Sequence, residues 1–130
     1  MQIAIALVTL ACAAAQAAGP PPAATRLYAA IVRTGPSWDP AKPFPAQLHF
    51  KEHSANIRRL GAEGKLALGG RTGDLGLLIV RAGSETEARA LFDADPSVAA
   101  GTFRLEVSEW RTFAPGCVES PSSAPRASPR

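Results

Sequence analysis

The chain is 130 residues long, 46% hydrophobic and 19% charged, with a formal net charge of +3. That leaves room for one domain with a buried core and excludes a second of ordinary size. The basic residues are scattered, without a basic and aromatic run, so no nucleic-acid partner is expected.

Residues 1–25 contain no charged side chain, and residues 3–15 form an apolar run. The run is shorter than the roughly 20 residues that span a membrane and matches the hydrophobic region of a secretory signal. Ala15-Gln16-Ala17 supplies the small residues of a cleavage site. We therefore read 1–17 as a signal peptide and 18–25 as a Pro/Ala leader. The expected destination is periplasmic or secreted, with no stable membrane span after cleavage. No Lys or Arg precedes the run, so a non-cleaved anchor or a misassigned start codon stands as the alternative; separately, Cys12 within the run leaves a lipid anchor open. With the signal removed, Cys117 is left alone in a turn, as an idle cysteine, a free thiol or an intermolecular bridge.

Arg26 to Arg33 is rich in β-formers and reads as a first strand. Residues 34–45 hold Pro36, Pro40, Pro43 and Pro45, a density that excludes helix and sheet interior. In this loop Trp38 and Phe44 either cover a pocket mouth or pin the loop to the surface. Gln47 to Glu63 reads as an amphipathic helix with His49, His53, Ile57 and Leu60 on one face, ending near Gly64. Lys65 to Gly69 is a short strand and residues 69–76 a glycine-rich turn containing Asp74. Leu75 to Arg81 is a continuous apolar strand suited to the middle of a sheet.

Ser84 followed by Glu87 is a capping-box pattern opening a second helix, which ends before Asp95-Pro96 because the residue preceding proline avoids helical angles. Pro96 to Ala100 is a short turn closed by Gly101. Phe103, Leu105 and Val107 alternate with polar residues in a last, half-buried strand. Residues 114–130 are read as a disordered tail. The order βαββαβ implies an α+β, ferredoxin-like fold, an antiparallel sheet with two helices on one face. Covering the other face of so small a sheet predicts a homodimer, in the manner of a dimeric α/β barrel.

Residues 26–113 resemble the YCII-related (YciI-like) family. The resemblance rests on His53 with Ile57, Leu60 and Gly64; on Leu66 to Gly70; on Ser84 to Ala88; on Asp95-Pro96 with Gly101; and on Val107 with Trp110. It implies a site pairing His53 with Asp95, and some members act on muconate-type or muconolactone-like small organic acids. Two positions depart from the family pattern. Gly76 stands where members with dehalogenase-like activity carry a serine, and Gly70-Arg71 stands where Gly-Pro is usual.

His53 is the candidate acid/base, since an imidazole beside a carboxylate is oriented and tuned for proton transfer. Asp95 or Asp74 supplies the carboxylate. The bland reading makes His53 a core residue and Asp95 the cap of the turn at Pro96. His49 and His53 at i, i+4 have the spacing for a shared metal, but the Glu of a His-Glu-x-x-His motif is absent. The turn Gly69 to Gly73 could cradle an anion with its backbone amides and Arg71, but it lacks a phosphate-loop pattern and opens no helix, so it is read as a hairpin. We expect no metal and no cofactor. Two functions remain open: an exported enzyme using His53 and Asp95 on an organic acid, or a non-catalytic ligand-binding or dimerising module with a small-molecule pocket.

Overall fold

The computed structural model describes residues 25–116 and 118. The signal segment, nearly all of the leader, both cysteines and most of the tail lie outside the described residues. Residues 112–116 and 118 form no helix or strand and belong to a unit separate from the domain.

The domain runs β1 (Arg26–Thr34), α1 (Phe50–Ala62), β2 (Leu66–Thr72), β3 (Leu75–Ala82), α2 (Glu85–Ala90), α3 (Pro96–Ala99) and β4 (Phe103–Glu109). The strands form one sheet in the order β2-β3-β1-β4 with every neighbour antiparallel, the ferredoxin-like arrangement. Alternation along β1 sends Tyr28, Ala30 and Val32 to one face, where they join Leu78, Val80, Phe103 and Val107. Leu60 from α1, Ala88 from α2 and Phe92 from the turn after it close over that layer. Both interior strands are buried at their centres, as the apolar run in β3 predicts. Among the described residues no helix is long and apolar enough to cross a membrane.

Three boundaries differ from the sequence reading. α1 begins at Phe50, not Gln47: His49 is its N-cap in a left-handed conformation at φ +58°, and Gln47 lies outside the helix. The Gln47 side chain is buried because it folds back on the proline-rich loop, accepting from the Asp39 amide at 3.0 Å and donating to the carbonyls of Asp39 and Lys42 at 2.6 and 2.9 Å. Tying these backbone groups, which no ladder satisfies, outweighs one more helical turn. β2 extends to Thr72, so the glycine-rich segment is mostly strand and the turn shrinks to Gly73 and Asp74, with Gly73 at φ +55°. A backbone ladder to β3 needs no side chains, which is why glycines do not stop it. The second helix breaks after Ala90, and Pro96 starts α3 as a separate turn of helix.

The other end of the proline-rich loop is held against the loop before β4. Gly35 donates to the Thr102 carbonyl at 2.8 Å and Ser37 to the Gly101 carbonyl at 2.9 Å. The backbones approach so closely that a Cβ on Gly35 would lie 2.1 Å from the Gly101 oxygen.

Candidate active site

A cavity of about 440 Å³ opens between α1, β2–β3 and the proline-rich loop, within the range of small-molecule sites. Its walls are mainly apolar: Phe44, Phe50, Ile57, Leu78 and Phe103, with His53 among them and Arg71, Asp74, Gly70 and Gly76 along β2 and β3.

His53 lies on the inward face of α1, one turn after its start. Its ring packs at 4.6 Å on Phe103, and its Nδ1 lies 2.6 Å from Oδ2 of Asp95. Asp95 is 1% exposed and is the N-cap of α3: its Oδ1 accepts from the Ser97 amide at 3.0 Å and from the Ser97 hydroxyl at 2.6 Å. The capping role and the pairing with His53 are therefore both real, one for each carboxylate oxygen. Pro96 fixes this geometry by opening the helix whose first turn presents the Ser97 donors.

Burial pushes the Asp95 carboxyl upward, but the hydrogen bonds from His53 and Ser97, with the attraction of the imidazole, outweigh it and hold the group below the usual Asp value. An ionised carboxylate only accepts, so Nδ1 of His53 must carry the proton, and in the neutral ring Nε2 holds the lone pair. His53 is buried, with 8% of its side chain exposed; its ring lines the cavity, and among the described residues nothing bonds Nε2. The pair thus places a ring oriented by a carboxylate at the wall of a mainly apolar space. In that arrangement a lone pair at Nε2 can take up a proton, with Asp95 stabilising the imidazolium that forms.

The remaining candidates separate. Asp74 lines the cavity from the β2–β3 turn but does not pair with His53. His49, displaced by the late start of α1, has its Nδ1 3.4 Å from Glu52 instead of sharing a ligand sphere with His53. Among the described residues no group of three His, Cys, Asp or Glu side chains is gathered to hold a metal. Gly76 lines the cavity where the family serine was expected, so no hydroxyl stands at that position. Ser84 accepts from the Glu87 amide at 3.1 Å and is a helix cap.

Three further residues complete the site: Ser97 and Asn56, which the sequence did not mark, and Arg71, which it marked only as part of the glycine turn. Ser97 fixes the Asp95 carboxylate. Asn56 donates to the Leu91 carbonyl at 3.2 Å, tying α1 a second time to the segment that carries Asp95. Arg71 sets its guanidinium 4.1 Å above the Phe44 ring, at the cavity wall. Ser97 stood two residues after an Asp-Pro, a pattern that signals a capped turn; nothing local in the sequence marked the partners of Asn56 and Arg71. Both uses proposed for the loop aromatics occur. Phe44 lines the cavity, while Trp38, 4.7 Å from Phe44 and 5.7 Å from Phe103, pins the loop to the core.

No curated protein and no solved structure matches the chain. The YCII-related domain model matches residues 39–111, from the proline-rich loop through β4, and includes His53, Asp95 and the cavity-facing parts of β2 and β3. With that match covering more than half of its length, the chain belongs to the YCII-related domain family.

Proposed function

We propose that this protein is an acid/base catalyst for a small organic acid, with Nε2 of His53 exchanging the proton and Asp95 orienting and stabilising the ring. The observation that carries the reading is the 2.6 Å contact between Nδ1 of His53 and the buried Asp95 carboxylate, on a ring that also lines the cavity. Removal of a proton next to a carbonyl or carboxylate is the class of step such a nitrogen performs without a nucleophile. Gly76 favours this over displacement from the family serine position, because it brings no hydroxyl there, although Ser54 of α1 also lines the cavity. The absence of that serine also supports the alternative of a binding module without catalysis.

Incubation in D₂O with a panel of small unsaturated acids and lactones separates the two. Solvent deuterium appearing beside the carbonyl with the wild type, and not with His53→Gln, supports catalysis. Binding without exchange across the panel leaves the binding module.

Two further parts of the reading rest on the sequence pattern. The apolar run 3–15 with Ala15-Gln16-Ala17 supports export to the periplasm or the exterior. Ile31, Leu77 and Leu68, on the sheet face turned away from the helices, support a homodimer closed across that face. Sedimentation equilibrium of the protein and of Ile31→Asp tests the latter, a monomeric wild type being the contrary result.

A further inference from the structure

Arg71 is a cation in search of a partner. It stands near the end of β2, opposite Gly76 in the ladder, and lines the cavity together with His53. Arg71 is exposed and, like Arg58, Arg81 and Arg104, has no carboxylate within ion-pair distance among the described residues, whereas Arg33, Arg59, Arg89 and Arg111 each have one. Of the four without one, Arg71 is the arginine that lines the cavity. Its guanidinium carbon lies 4.1 Å from the centroid of the Phe44 ring. That cation–π contact sets the guanidinium beside the cavity, and among the described residues no acceptor takes its N–H donors. A guanidinium so placed, beside an apolar space, is suited to the forked recognition of a carboxylate.

The other walls describe the rest of the ligand. Phe44, Phe50 and Phe103 offer three aromatic surfaces, which fit a flat, unsaturated body. Asp74 shares the same cavity without being in ion-pair range of Arg71, so a second negative charge on the ligand would meet a like charge. Building on the reading of the His53 cavity as a ligand site, we propose that Arg71 is the carboxylate anchor of this cavity and that its ligand is a small monocarboxylic acid with an aromatic or conjugated body. Arg71 then sets charge specificity, and Asp74 discriminates monoacid from diacid.

Calorimetric titration with trans-cinnamate, its uncharged amide cinnamamide and the diacid 4-carboxycinnamate tests this, with the His53 side-chain resonances followed in parallel. The wild type is expected to prefer cinnamate over the amide by about tenfold or more, the weight of one charge-assisted pair. Arg71→Gln should reduce cinnamate to the level of the amide, with a circular dichroism spectrum matching the wild type showing that the variant is folded. Asp74→Asn should tighten 4-carboxycinnamate selectively. Equal binding of cinnamate and cinnamamide, or a preference that survives Arg71→Gln, overturns the anchor. If His53 still responds to the amide in that case, the cavity reading stands without it. If no probe binds or moves His53, both fall.

Discussion

Asp95→Asn is the substitution that most sharply separates a working pair from a packing contact. The carboxylate is 1% exposed and receives three donors: His53 Nδ1 and the Ser97 hydroxyl at 2.6 Å each, and the Ser97 amide at 3.0 Å. An asparagine can keep both bonds to Ser97 through its carbonyl. Its NH₂ then meets Nδ1 of His53, and two donors cannot share a proton. The ring must move its proton to Nε2, so that nitrogen ceases to be a base. In stability, a charge-assisted bond of about 1.5–3 kcal/mol is replaced by a neutral one of about 0.5–1.5 kcal/mol, a net loss of about 1–2 kcal/mol at neutral pH. The loss has a pH signature. The native Asp95 carboxyl lies below its unfolded value, so its extra stabilisation is fully present above the unfolded pKa and disappears as pH falls through the native one. Urea unfolding followed by tryptophan fluorescence, at neutral pH and at steps into the acid range, should show the gap between wild type and variant narrowing on acidification. A gap independent of pH, or an imidazole tautomer identical in the two proteins, would refute the reasoning.

The loop that walls the cavity is tied at both ends, and each tie has a test. Gln47→Ala removes three hydrogen bonds to the loop backbone and leaves partly buried groups unpaired, so it should cost about 1–3 kcal/mol and speed cleavage between residues 38 and 46 in limited proteolysis. Gly35→Ala drives a methyl to 2.1 Å from the Gly101 oxygen and 2.8 Å from its carbonyl carbon, atoms of backbone that cannot rotate away. A loss of at least about 2 kcal/mol is expected, read as a fall in Tm of roughly 10 °C in a thermal melt. An unchanged melt would mean that the two loops do not approach as described.

Composition was enough to read β1, and hydrophobic patterning to read β3, the last strand and the inward face of α1. β3 and the last strand came from continuous or alternating apolar residues, and the helix face from Ile57 and Leu60 at helical spacing from His53. β2 was under-read because Gly69 and Gly70 carry no side-chain signal, while an edge strand beside β3 needs only its backbone. The start of α1 was over-read for the opposite reason: Gln47 and Leu48 suit a helix locally, but Gln47 satisfies backbone groups eight residues upstream. Within the site, the His53–Asp95 pairing was legible from the family pattern and not from spacing, since forty-two residues separate the two. Arg71 was legible only as part of a turn. Its significance comes from Phe44, brought to it by a loop whose path the prolines restrict without specifying.

The central claim is that Asp95 holds His53 with a basic Nε2 turned to the cavity. The direct measurement is the long-range ¹H–¹⁵N spectrum of the His53 imidazole in the wild type at pH 8, recorded with and without trans-cinnamate. The account predicts a proton held at Nδ1, with the Nε2 resonance displaced by the ligand and Nδ1 little changed. A ring protonated at Nε2, or an Nε2 resonance indifferent to every cavity ligand, would contradict it.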